Sequence, residues 1–152
     1  MYKRILVSID GSPTSNKGLD EAAKLAQVCG AELRLVHVVD PMPFTVGYEA
    51  LGVETGREIA AIEDAGRALL DAGKQRATAA GAKNVDAVLV ERTMARISER
   101  IVEQAKAWDA ELIVIGTHGR RGVGRMLLGS DAEQTVRIAP VPVLLVRASD
   151  DE

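Results

Sequence analysis

Five short runs rich in Val, Ile and Leu, at residues 5–9, 33–39, 85–90, 112–115 and 141–146, limit what this chain can fold into more than any other feature. Several are nearly continuous in apolar character. A strand with one wet face alternates apolar and polar residues, whereas a strand covered on both faces does not, so the runs predict a parallel sheet buried on both sides. Helical stripes lie between them: Leu19, Ala22, Ala23 and Ala26 in one, Ile97, Ile101, Ala105 and Trp108 in another, at spacings of three or four. Gly30 and Gly81 stand where left-handed residues would end helices. Strands alternating with helices require right-handed crossovers, which place helices on both faces of the sheet. The expected architecture is a single open five-stranded parallel α/β sheet, and periodicity alone does not choose its strand order.

A chain of 152 residues can bury roughly 70% of its unfolded surface in one core. We expect one domain over residues 1–148 and a solvated acidic tail over 149–152, ending in Asp150, Asp151 and Glu152. The Pro- and Gly-punctuated residues 40–56 read as a surface loop, not a domain boundary. A net charge of −3 supplies no broad basic footprint for nucleic acid. Cys29 is the single cysteine, so no internal disulfide can form and a reducing cytoplasm fits best. The first twenty residues hold no apolar stretch suited to a signal or a membrane span, so neither export nor membrane insertion is expected.

In sheets of this kind ligands bind beyond the carboxyl ends of the strands. The first run leads into Asp10-Gly11-Ser12-Pro13, where Gly11 permits a tight turn and Ser12 before Pro13 reads as a helix cap. Asp10 is either a turn residue satisfying local donors or a ligand contact. The fourth run leads into Gly116-Thr117-His118-Gly119, then nine residues, then Gly129-Ser130 opening the last helix. Glycines let backbone N–H groups approach phosphate oxygens, and a helix N-terminus favours anions. No Gly-Lys-Ser or Gly-Lys-Thr occurs, and no Gly-x-Gly-x-x-Gly follows the first run, which removes support for P-loop hydrolysis and Rossmann redox chemistry.

The Gly116-x-x-Gly119, nine residues, Gly129-Ser130 pattern resembles the nucleotide-binding signature of the universal stress protein family. Residues 5–12, 35–38, 127–130 and 142–146 resemble its other landmarks, and the likeness spans essentially the whole chain. The resemblance implies strand order 3-2-1-4-5, with ATP or AMP between the ends of the first and fourth strands. Ser8, Ile9, Asp10 and Val38 would surround adenine. Ile115 and Gly116 would border the ribose, and Gly119, Gly129, Ser130 and the next backbone groups would hold the phosphates. It also implies a homodimer through antiparallel pairing of residues 141–146. Two departures stand out. Glu91-Arg92-Thr93-Met94 lacks the glycine usual after the third strand, and Asp131 puts a carboxylate beside the expected phosphates, where Mg²⁺ could join the two.

Other polar residues have plainer explanations. Ser130 and Glu133 are spaced for a capping box. Arg120, Arg121 and Arg125 read as solvated loop residues, and His37 and His118 as structural or solvent-facing, with no triad around His118. The expected function is nucleotide sensing, with at most slow ATP hydrolysis, because no residue is identifiable as positioning water or stabilising developing charge. The alternative is a flavodoxin-like electron carrier binding FMN phosphate through Ser12, Thr14 and Ser15, but aromatic residues make up only 3% of the chain. A phospho-accepting receiver would need an Asp ending the third strand, which here ends at Val90-Glu91.

Overall fold

The computed structural model describes residues 1–41, 51, 56–118 and 128–147. Strands β1 (Arg4–Ser8), β2 (Glu32–Val39), β3 (Asn84–Glu91), β4 (Leu112–Gly116) and β5 (Val143–Val146) alternate with helices α1 (Pro13–Cys29), α2 (Gly56–Ala79), α3 (Ile97–Ala107) and α4 (Ser130–Ile138). The strands form one sheet in the order β3-β2-β1-β4-β5, every pair parallel. This is the order that the resemblance implied. The last strand starts at Val143, later than its apolar run suggests, because Pro140 and Pro142 flank Val141 and proline has no N–H to give a ladder. Pro142 still contributes its carbonyl, which accepts from Ile113 N at 3.0 Å.

β1 lies at the centre, and Ile5, Leu6 and Val7 are fully buried. Side chains alternate along it. Ile5, Val7 and Ile9 join Leu33, Leu35 and Val114 under α1 and α2, while Leu6 joins Val36, Ile113 and Ile115 under α3 and α4. Each such aliphatic side chain removed from water contributes about 1.5–3 kcal/mol. The two stripes read from the sequence face these half-cores: Leu19, Ala22, Ala23 and Ala26 in the first, Ile101 and Ala105 in the second, with Ile97 and Trp108 half-buried beside them.

α1 begins at Ser12, whose Oγ accepts from Ser15 N, and ends at Gly30 in the left-handed conformation (φ +66°). Gly81, after α2, also has positive φ (+99°). α2 lies close to the sheet because Gly66 and Gly73 face it: a Cβ on Gly73 would come within 2.7 Å of Leu35 Cδ2. Arg76 donates to both carboxylate oxygens of Asp20 at 2.6 and 2.8 Å, tying α2 to α1. That bidentate pairing holds the Asp20 carboxyl below the usual carboxylate range. Its contribution to stability is present above the ordinary carboxylate pKa and fades as pH falls through the depressed one. No described helix is long and apolar enough to cross a membrane.

The turn after β3 answers the missing glycine. Thr93 itself takes the left-handed conformation (φ +53°). Bonds around Arg92 fix it there: Arg92 N donates to Val39 O, its Nε donates to Ala95 O, and its guanidinium pairs with Asp40. A left-handed β-branched residue costs about 1–2 kcal/mol. Thr93→Gly should therefore raise stability by about 0.5–1 kcal/mol after glycine's entropic penalty is subtracted. Urea denaturation checks this, and an unchanged or lower midpoint would show that the turn stores no strain.

Candidate functional site

The strand order reverses at β1, whose neighbours β2 and β4 lead into connections on opposite faces, and such a point opens a crevice at the carboxyl ends. Val7 is paired with Val114, so the register carried forward sets Ile115 and Gly116 level with Ser8 and Ile9. Ser8 is paired with Val36, which sets Val38 level with Asp10. Val38 and Ile115 belong to the half-core beneath α3 and α4, and Ser8, two residues past Leu6, points to the same side. Ile9 points the other way, into the α1/α2 core. Its N–H donates to Val36 O at 2.9 Å and its carbonyl accepts from His37 Nδ1 at 2.7 Å.

Beyond β1 the chain closes on itself. Asp10 Oδ1 accepts from Ser12 N at 2.8 Å, Ser12 Oγ from Ser15 N at 3.2 Å, and Ser15 Oγ from Asp10 N at 2.9 Å. Asp10 thus has the turn role that its position suggested. The start of α1 also packs on the end of β4: a Cβ on Gly116 would lie 3.1 Å from Thr14 Cγ2 and 3.2 Å from Ser15 N. Ser12 and Ser15 are buried and spent on this ring, which removes the phosphate cradle that a flavodoxin-like reading requires.

Thr117 joins β4 to the last helix. Its N–H donates to Val146 O at 2.9 Å, and its carbonyl accepts from Gly129 N at 2.7 Å, which draws the start of α4 to the end of β4. The capping box expected at Ser130 is not formed. Gly129 is the N-cap, in extended backbone (φ −60°, ψ 147°), and its carbonyl accepts from Glu133 N at 2.9 Å. The hold of Thr117 on Gly129 sets the cap one residue early, so Ser130 becomes the first helical residue and is exposed. The Glu133 carboxylate accepts instead from Arg137 Nη2 at 2.8 Å. Asp131 is exposed in the same first turn, and its backbone carbonyl accepts from the buried Thr135 hydroxyl at 2.7 Å. Two carboxylates here make the field at the helix start less positive than its dipole alone.

Among the described residues, no group of three or more His, Cys, Asp or Glu side chains could hold a metal. Gly119, Arg120, Arg121 and Arg125, residues 149–152 and most of residues 40–56 lie outside the described residues.

Both histidines make structural hydrogen bonds, one of the two roles expected of them. His37 is buried and donates Nδ1–H to Ile9 O. His118 places Nδ1 3.0 Å from Thr117 Oγ1, while its Nε2 is buried with no hydrogen-bond partner among the described residues. A groove of about 290 Å³ lies at the opposite, amino-terminal ends of β2 and β3. There Arg34 is committed to Asp86 and to the Trp108 ring, 4.6 Å from its centroid, which makes the groove a structural latch.

The sequence profile of the "Universal stress protein family" matches residues 1–147. A universal stress protein of Thermus aquaticus is 37% identical over 97% of this chain and all of its own length. A solved universal stress family protein from Burkholderia pseudomallei is 35% identical, with a TM-score of 0.77, covering 97% of each chain. A universal stress protein solved in complex with cAMP is 26% identical, with a TM-score of 0.70, over 97% of this chain and 98% of its own. A profile match over nearly the whole length, a relative above one-third identity and a shared strand order agree, and this chain belongs to the universal stress protein family.

Proposed function

We propose that the crevice at the ends of β1 and β4 binds an adenine nucleotide, ATP or AMP, with its phosphates at the start of α4. The observation that carries this is the bond from Gly129 N to Thr117 O, which brings the helix N-terminus to the strand-order reversal. A helix start offers unspent N–H groups to an anion. The cAMP complex of a family member supports the choice of an adenine nucleotide. Ser8, Asp10 and Val38 take the base, Ile115 and Gly116 the ribose, and Gly119, Gly129 and Ser130 the phosphates, Gly129 by close approach without a side chain, since its N–H is held by Thr117 O. Ile9 contributes through position more than contact, since its side chain is in the core.

Mg²⁺ fits as an accompanying ion. It is commonly held by one or two carboxylates together with substrate phosphates, so the exposed Asp131 suffices on the protein side. When bound, the ion would neutralise phosphate charge.

The protein then works as a nucleotide-sensing regulatory module of the cytoplasm, with little or no turnover, its ligand state altering assembly. The half-buried thiol of Cys29 suits that compartment. β5 is an edge strand with half-buried Val143, Leu144 and Leu145, and Val136 and Ile138 on α4 are 45% and 40% exposed. An apolar edge of this kind needs a cover. A second copy pairing antiparallel with β5 supplies one. Thr117 bonds to both Val146 and Gly129, so this edge and the phosphate end share a residue.

Calorimetry should show ATP binding in preference to GTP. In Gly129→Val the added Cβ would come within 3.0 Å of Thr117 O, and ATP affinity should fall about 10-fold or more, the scale of one or two hydrogen bonds to a charged group. Unchanged affinity in a variant with native circular dichroism would overturn the assignment. ATP affinity should rise with Mg²⁺ in the wild type and less so in Asp131→Ala; equal metal dependence in both would remove Asp131 from the site. Sedimentation at micromolar concentration should show a dimer that Leu145→Pro weakens by removing a backbone donor, whereas a monomeric wild type would contradict the pairing.

A further inference from the structure

We propose that His118 is a phosphate-reading residue, its Nε2–H donating to a phosphate oxygen of the bound nucleotide. The inference rests on the nucleotide-binding reading above and adds to it a side chain from within Gly116-x-x-Gly119 that is not one of its glycines.

It begins with Thr117. This residue is 4% exposed, and its backbone is held on both sides, N–H to Val146 O and carbonyl from Gly129 N. Its hydroxyl carries one proton that needs an acceptor. Among the described residues the partner at hand is His118 Nδ1, 3.0 Å away. With Thr117 donating, Nδ1 is the acceptor, and in a neutral imidazole the proton then resides on Nε2. Nε2–H is therefore a donor, buried and without an acceptor among the described residues.

A buried donor without a partner costs about 1–3 kcal/mol. Native structures hold few such groups, and a missing ligand atom is one physical reason for one. The surroundings favour an anion. His118 follows the residue whose carbonyl takes Gly129 N–H, and a Cβ on Gly129 would come within 3.7 Å of His118 Cα, so the His118 backbone stands at the same corner as the α4 N-terminus. The other donors proposed there are backbone N–H groups, which are neutral. A neutral Nε2–H adds a directed contact, fixed in its tautomer by a rigid neighbour, at a helix start that already carries Asp131 and Glu133.

Two amide substitutions separate the ring nitrogens. The Asn amide reaches the position of Nδ1 and deletes Nε2, and the Gln amide reaches the position of Nε2 and deletes Nδ1. Affinities for metal-free ATP and for adenosine, which lacks phosphate, would be measured by calorimetry for wild type, His118→Asn and His118→Gln. The expected result is a loss of about 10-fold for ATP in His118→Asn, the scale of one hydrogen bond to a charged group. Adenosine affinity should stay within about 2-fold, and His118→Gln should keep most of the ATP affinity. A spectroscopic readout accompanies this: with only two histidines in the chain, ¹⁵N-histidine spectra of the wild type should show the His118 Nε2 resonance moving on ATP addition and not on adenosine addition. If wild type and His118→Asn bind ATP equally, the inference is overturned while the nucleotide reading stands. An equal loss for ATP and adenosine in His118→Asn would mark a merely structural role and overturn it as well. If the wild type binds neither compound, both readings fall.

Discussion

The structure depends on a strand that must be hydrogen-bonded along both edges and covered on both faces. β1 meets that demand with Ile5, Leu6 and Val7, all fully buried, paired to β2 on one side and β4 on the other. Nothing polar fits inside such a strand, because an unpaired buried group costs more than a short apolar run can recover. Chemistry is therefore displaced to the residues after it. The same centrality forces the crossovers apart, α1 and α2 packing on one face and α3 and α4 on the other. The crevice is the gap left where they diverge.

At that gap local polar groups are mostly committed to building the corner. Asp10, Ser12 and Ser15 bond one another, Ile9 bonds to Val36 and His37, and Thr117 bonds to Val146, Gly129 and His118. This economy makes the exceptions informative. Among the described residues, Gly129 caps α4 without a side-chain bond, and the Nε2 of His118 is a buried polar atom that local folding does not consume.

Much of this was legible in the residues, for physical reasons that differ by element. Apolar runs located the strands because a doubly covered strand has no polar face, and the stripe at Leu19, Ala22, Ala23 and Ala26 located α1 because it faces one half-core. Strand order was not legible from periodicity, since right-handed crossovers can be built in more than one order; it came from the likeness of the Gly116 to Ser130 pattern to a family. The cap of α4 was misplaced by one residue because Gly129 and Ser130 both make good caps, and the choice is made by the carbonyl of Thr117, distant in sequence. Thr93 hid its turn because a β-branched residue is a poor candidate for positive φ, and the bonds that hold it there come from Arg92 reaching to Val39, Ala95 and Asp40. The orphaned nitrogen of His118 was not legible for the same reason: it is a property of its neighbours and not of its place in the chain.

On the proposed reading, the charge balance at α4 also bears on why binding would serve sensing better than turnover. Catalysis of phosphoryl transfer rests on strong, preorganised positive charge against the developing negative charge. Here the first turn of α4 carries two carboxylates, Asp131 and Glu133, the second paired with Arg137 on the helix. The donors proposed for the phosphates are neutral: backbone N–H groups and an imidazole whose tautomer Thr117 sets. Such a set holds an anion through directed bonds without concentrating charge on it, and a divalent ion at Asp131 would add charge only while the ion is present. Binding of that kind follows nucleotide and metal levels reversibly. Because Thr117 bonds to both Gly129 and Val146, a change at the proposed phosphates would act on the residue that also anchors the edge strand.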